Sequence, residues 1–299
     1  MRKWADFINE GHIDKELTRE KPIIAIMGCY QIGKSTLLNC LLHDYVALTG
    51  KGLATTSLTA RYRYGTERSI AYRSRKGQLV STDIALLQTQ AVLNDISEES
   101  AFHVEARFKH ELLHSFDVVD TPGFNANESD THKTMQSMSD VHYVLFMMPN
   151  RSFTQIEKSI LTTLYQRKIP FSVIMNCVNG RREERWLPHH QLNQAICQEN
   201  SAWLQANILD NVIQIEGRNV FPFNAMFYWS QQNAFESSFK YIDRPETVHK
   251  HIAGLFSEEG INYTSASVIE QSNVPQLTEH LQKMVERYDP ITHAWRGMK

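Results

Sequence analysis

No apolar run in the sequence approaches the roughly 18 residues that a membrane-spanning helix needs; the best, such as YVLFMM at 143–148, are short. The first residues, MRKWADFINEGHIDKE, carry charges where a secretory leader needs an apolar core, so a cytoplasmic location is expected. Cysteine is scarce: Cys29, Cys40, Cys177 and Cys197 are the only four in 299 residues. They show neither CxxC nor His/Cys ligand spacing, which excludes a disulfide scaffold and a zinc site and leaves reduced thiols. An excess of one charge is missing as well. With 31 Lys+Arg against 33 Asp+Glu and a net charge of -2, no global field gathers phosphate backbones or anionic lipid, and no nucleic-acid partner is expected. Proline and glycine form no linker-like tract, and there is no internal repeat. One α/β domain with appendages is the expected organisation.

What is present alternates between strands and helices. Residues 23–27 are a short apolar run between Pro22 and Gly28, the pattern of a strand buried on both faces. A helix follows at 35–43. Residues 58–73 alternate around Gly65 and 102–109 alternate again, which predicts antiparallel strands about Gly65, with a helix at 83–93 between them. Further buried strands are expected at 116–119, 143–148, 171–175 and 220–223, and helices at 153–166, 182–205, 245–256 and 274–288. This order argues for a doubly wound, mostly parallel sheet with an antiparallel edge and extra peripheral helices, its ligands at the carboxyl ends of the strands.

Gly28-Cys-Tyr-Gln-Ile-Gly33-Lys34-Ser35 matches GxxxxGK[ST] and stands between a predicted strand and a predicted helix, the setting in which that pattern is specific. Loop N–H groups over Gly28, Tyr30, Gln31, Ile32 and Gly33, continuing to Thr36, would surround phosphates. Lys34 would neutralise the β/γ oxygens, and Ser35 would ligate Mg²⁺. Asp120-Thr-Pro-Gly123 reads as DxxG: Asp120 can hold magnesium through water, and the Gly123 N–H can meet a γ-phosphate. Between them lies LATTS at 53–57, where one threonine can cap the magnesium; Thr56 is favoured over Thr55.

Taken together, GKSTLLN, the threonine pair leading into LTARYRYG, and DTPGFN resemble the GTPase domain of the bacterial dynamin-like proteins, over about residues 21–290. The resemblance implies a P-loop GTPase fold, GTP and Mg²⁺ as cofactors, and loops at 31–32, 53–57 and 124–130 that change with the nucleotide. Where eukaryotic dynamins carry a Gln that positions the attacking water, this chain has Tyr30, with Gln31 one place along as an assistant. After residues 171–175 the family places [NT]KxD, and here the residues are Asn176-Cys177-Val178-Asn179. Asn176 would tie the base loop to the phosphate loop. Cys177 would cover less of the base than a lysine stem. Asn179 would offer one neutral carbonyl where Asp offers two charged acceptors, weakening guanine preference by roughly tenfold or more. ATP is therefore a possible ligand, and a polar loop unrelated to the base is the alternative. The last base contact is assigned to Asn224-Ala225, with Ser265-Ala266 as the rival.

The domain plan is a helical extension at 1–20, a G domain at 21–290 with a helical insertion near 227–271, and a tail at 291–299. Too little chain follows the closing helix for a stalk, so residues 1–20 and 227–271 would form a substitute, or a second chain would supply one. Self-association across the nucleotide face, or pairing with a second dynamin-like chain, is the expected partnership, with membrane contact only through a partner. Arg61, Arg63, Arg68, Arg73, Arg75 and Lys76 read as a solvated face rather than a surface for lipid or RNA. Met135, Met138, Met147 and Met148 read as core, and 181–185 as a charged helix start with a possible arginine acting across a dimer. Three functional readings remain: a slow GTPase, a mixed-purine hydrolase, and a nucleotide-binding structural partner.

Overall fold

The computed structural model describes residues 21–47, 58–87, 89–97, 102–124, 140–177, 191–232, 245–258, 260–292 and 294–296. Several expectations lie outside them: the extension 1–20, the loop 53–57 with Thr55 and Thr56, residues 125–130, Met135, Met138, Asn179 and residues 181–185.

A nine-stranded sheet forms the centre. Its strands are β1 (Ile23–Gly28), β2 (Ala60–Tyr64), β3 (Ser69–Arg73), β4 (Leu79–Thr82), β5 (Val104–Phe108), β6 (Asp117–Asp120), β7 (Tyr143–Pro149), β8 (Phe171–Asn176) and β9 (Val220–Phe223). They run in the order β4-β3-β5-β2-β6-β1-β7-β8-β9. From β6 to β9 all pairings are parallel, and β1 is buried at every position, as expected of a strand covered on both faces.

The antiparallel wing differs from the expectation. β2 and β3 flank Gly65 but do not pair; β5 lies between them, parallel to β2 and antiparallel to β3, and the Gly65 N–H is bonded to the Phe108 carbonyl. Alternation identifies a half-buried strand without naming its partner, and the partner here is set by a shared inner face: Tyr62, Ile70, Tyr72, Val104, Ala106 and Phe108 all enter one apolar cluster. The helix expected at 83–93 is a 3₁₀ turn, Ile84–Leu86, followed by α2 (Gln90–Asp95), and the edge strand β4 before it was not anticipated.

The other helices are α1 (Lys34–Leu41), α3 (Glu111–Ser115), α4 (Gln155–Gln166), α5 (Gln191–Asn207), α6 (Ala225–Ser230), α7 (Pro245–Glu258), α8 (Ser265–Gln271) and α9 (Val274–Val285). Residues from α1, α3, α6, α7, α8 and α9 bury their apolar side chains on one face of the sheet, and α4 and α5 cover the other. Met147 and Met148 point to opposite faces and are both fully buried. The chain after α9 is not a helical continuation to Tyr288: β10 (Tyr288–Asp289) pairs with β11 (Ala294–Trp295), and the Trp295 indole donates to the His142 carbonyl at 2.8 Å.

The arginines of β2 are not simply solvated. Arg61 and Arg63 both reach the buried carboxylate of Asp117 at the start of β6, at 2.7 and 3.1 Å, while Arg68 pairs with Asp44 and Arg73 with Glu105. A carboxylate that is 2% exposed needs a charged partner, and the two guanidinium groups provide it. No helix among the described residues is long and apolar enough to cross a membrane.

Candidate nucleotide site

Parallel pairing of β1 with β6 sets Ile26 opposite Asp120, so GxxxxGKS and DTPG emerge at the same edge of the sheet. The loop turns into α1 through Gly33, whose φ of 93° is left-handed and whose missing side chain makes room for Asn176: a Cβ there would lie 2.8 Å from Asn176 Nδ2. Lys34, 3% exposed, begins α1 and donates from Nζ to the Cys29 carbonyl at 2.9 Å. Burial pushes its ammonium below the usual lysine range, against the opposing pull of Asp120. Tyr30 is half-buried, Gln31 is exposed at φ 60°, and Thr36 is half-buried on the first turn of α1.

Ser35 donates from Oγ to Asp120 Oδ2 at 2.7 Å, while Asp120 Oδ1, buried, has no hydrogen-bond partner among the described residues. Burial raises the Asp120 carboxyl above the usual range, and Lys34 and Ser35 oppose that rise. An orphaned carboxylate oxygen beside a hydroxyl suits a hydrated hard cation, which takes one or two protein oxygens and keeps several waters. No group of three or more His, Cys, Asp or Glu side chains among the described residues could hold a metal ion, so Ser35 and Asp120 are the described candidates. Thr121 fastens the segment by donating to the Ile26 carbonyl at 2.9 Å. Gly123 lies against the loop: a Cβ would come within 2.6 Å of Tyr30 Cα and 3.1 Å of Lys34 Nζ. The Tyr30 N–H, expected to face phosphate, donates here to the Phe124 carbonyl at 3.1 Å.

Asn176 ends β8 and donates from Nδ2 to the Ile32 carbonyl at 2.7 Å, joining the end of that strand to the loop before Lys34. Cys177 departs from the expectation. Its thiol is fully buried in the core between the sheet and α5, so this thiol is not available to cover a base ring. Asn224 follows β9 at the same edge, since Phe223 pairs with Asn176. Its Oδ1 caps α6 by accepting from the Phe227 N–H at 3.0 Å, and its buried Nδ2 has no partner among the described residues. Ala225 is buried too, whereas the rival pair, Ser265-Ala266, is exposed at the start of α8.

A family model described as 50S ribosome-binding GTPase matches residues 23–177, which contain the phosphate loop, DTPG and Asn176. The chain belongs to the 50S ribosome-binding GTPase family. Dynamin-like protein 2 of Campylobacter jejuni is 32% identical to this GTPase over 125 residues, 42% of this chain and 20% of that protein. The chain therefore matches only a fifth of that relative's length. Among solved structures, a chain of an oligomerised bacterial dynamin pair, described as a mechanism for long-range sensing and tethering of membranes, is similar at 18% identity and TM-score 0.46, covering 79% of this chain and 37% of that one. A single-residue variant of Aquifex aeolicus Era bound to GDP and AlF4⁻ is similar at 18% identity and TM-score 0.37, covering 68% and 50%.

Some residues of this GTPase that shape the site were not read from the sequence. Asn39 of α1 is fully buried, donates to the Ala47 carbonyl at 2.9 Å and accepts from the Val46 and Ala47 N–H groups, holding the chain that leaves the phosphate helix. Glu157, fully buried in the first turn of α4, accepts from the Cys29 thiol at 3.2 Å. Thr154-x-x-Glu157 is a capping box that the sequence does display. Nothing local reveals its bond to Cys29, 128 residues away.

Proposed function

We propose that this chain is a Mg²⁺-dependent GTP-binding and GTP-hydrolysing module whose nucleotide state controls its association with a second copy or a partner chain. The observation that carries the reading is the Ser35–Asp120 pair, with the free Asp120 Oδ1 beside the buried Lys34 at the phosphate loop. Ser35 and Asp120, with Thr56, would hold Mg²⁺, which supplies charge stabilisation to the β- and γ-phosphate oxygens when bound.

The chain's own residues account for the rest. Lys34 exchanges its bond to the Cys29 carbonyl for phosphate oxygens, a stronger acceptor for an ammonium held in a dry site. Loop N–H groups and the amino terminus of α1 orient the phosphates. The Gly123 N–H turns to the γ-phosphate as Phe124 releases Tyr30, which frees one more loop donor. Gln31, exposed on the loop, is available to orient water from above. Catalysis on this scheme is positioning and charge stabilisation rather than covalent chemistry.

A second reading, a mixed-purine hydrolase, is favoured by one observation: the Cys177 thiol is buried and leaves purine recognition to Asn179 and the loop backbone. Phosphate release from GTP and ATP, each with Mg²⁺ or with chelator, tests both readings. Hydrolysis of GTP alone supports the first, equal rates support the second, and binding without turnover identifies a structural partner. Gel filtration with a non-hydrolysable triphosphate tests association, and an elution position that ignores the nucleotide refutes nucleotide control.

A further inference from the structure

Beneath the phosphate loop lies a charged cluster that the scheme above leaves unused. Glu157 accepts from Arg151 at both guanidinium nitrogens, 2.7 and 3.0 Å, and from the Thr154 N–H and hydroxyl, each at 2.8 Å. Its carboxylate also accepts from the Cys29 thiol, at 3.2 Å. Cys29 is the second residue of the phosphate loop, and its carbonyl holds Lys34. On the far side, Asn200 of α5, 1% exposed, donates to the Arg151 carbonyl at 3.0 Å and accepts from the Phe153 N–H at 2.9 Å.

We propose that Arg151 and Glu157 are positioning residues for nucleotide binding, fixing the phosphate loop in its receptive shape through the Cys29 thiol. The inference rests on the reading of this loop as the triphosphate site. A capping box does its work at a solvated helix end and requires neither full burial of its Glu nor a bidentate arginine. Burying a carboxylate costs free energy that a helix cap alone does not return, so this burial calls for another task. The cluster meets the phosphate loop at this thiol, which donates to Glu157 and accepts from Arg151 Nη2 at 4.0 Å. Arg151 and the Thr154 bonds hold the Glu157 carboxyl below the usual range despite its burial, so the acceptor stays charged. Burial and the adjacent carboxylate push the Cys29 thiol up to about 12, so the donor keeps its proton across the neutral range. With the side chain tethered, the Cys29 backbone is fixed, and with it the carbonyl that holds Lys34. A loop set in advance avoids an ordering cost when phosphates arrive.

The test is a double-mutant cycle read as affinity for GDP and for a magnesium–triphosphate analogue, with the melting temperature of the nucleotide-free protein followed alongside. Cys29→Ala and Arg151→Ala are each expected to weaken both nucleotides by about five- to tenfold, and the double variant by no more than about twofold beyond Arg151→Ala, as coupled residues in one network behave. Cys29→Ser, which keeps a donor for Glu157, is expected to recover most of the affinity lost in Cys29→Ala. Losses that multiply in the double variant, or Cys29→Ala at wild-type affinity, overturn the proposal. Should Arg151→Ala not fold, the Cys29→Ala and Cys29→Ser pair decides by itself, since a merely structural thiol would not tell a hydroxyl from a methyl in nucleotide affinity. Lys34→Ala runs beside them: full affinity there overturns the triphosphate site itself, whereas lost affinity there with unaffected Cys29 variants overturns the positioning role alone.

Discussion

Replacing Lys34 by Met separates function from stability in a way the structure makes quantitative. Met has a similar unbranched length and suits the first turn of α1, so the backbone need not change. Lys34 is 3% exposed, and burial pushes its pKa down against the pull of Asp120. A base with a lowered folded pKa costs stability at every pH below that pKa, and the cost is relieved as pH rises through it. At neutral pH the substitution removes that cost, but it also removes the charge-assisted bond to the Cys29 carbonyl, worth about 1.5–3 kcal/mol. The two effects oppose each other, and the melting temperature of nucleotide-free protein is expected to move by only a few degrees. Binding has no such compensation. A triphosphate in this loop would lose its buried cation, about 3–5 kcal/mol, or some two to three and a half orders of magnitude in affinity. Calorimetric titration with a magnesium–triphosphate analogue, beside thermal unfolding without nucleotide, measures both. Affinity within threefold of wild type would refute the phosphate-loop reasoning. A collapse of the empty fold would refute the compensation argument.

The other predictions address the metal, the closing loop and the base. Ser35→Ala is expected to reduce triphosphate affinity more than diphosphate affinity, because it removes one candidate Mg²⁺ ligand and leaves Asp120 without its hydroxyl donor; equal losses in titrations of the two nucleotides would count against the metal role. Because burial raises the Asp120 carboxyl, Mg²⁺-dependent binding is expected to weaken as pH falls through that raised value, above the ordinary 3.8, while the empty protein gains stability from this group over the same range. A pH series of titrations checks it, and a profile that breaks only near the ordinary carboxylate value argues otherwise. Thr56→Ala is expected to slow hydrolysis strongly and leave diphosphate affinity nearly intact, as measured by single-turnover phosphate release; the effect appearing in Thr55→Ala instead would shift the assignment by one residue. Asn179→Asp is expected to raise the GTP:ATP affinity ratio about tenfold in competition binding, since a charged acceptor is roughly twice as strong as a neutral one, and an unchanged ratio would remove residues 176–179 from base recognition.

What was legible in the sequence was local or tied to a motif. The strand–loop–helix around Gly33 could be read because pattern and setting occupy one short segment, and Asn176 at the end of β8 reaches the Ile32 carbonyl of that loop. Pairing was not legible. Residues 60–64 and 69–73 announce strands through alternation, but the interposed β5 is chosen by burial of a common face. The arginines on β2 looked solvated because their partner, Asp117, arrives from another strand. The inward turn of Cys177 has the same origin, since a small apolar side chain after a buried strand follows the core rather than the motif. Glu157 is the sharpest case: its capping box is local and visible, while its bond to Cys29 is made only by the fold.

The most direct test of the central claim is phosphate release under single-turnover conditions, with GTP or ATP, in Mg²⁺ and after chelation, for wild type and Lys34→Met. Release from GTP is expected, and it is expected to disappear both on chelation and in the variant. Release that persists in the variant, or a wild-type protein that neither binds nor turns over either triphosphate in Mg²⁺, would contradict that claim.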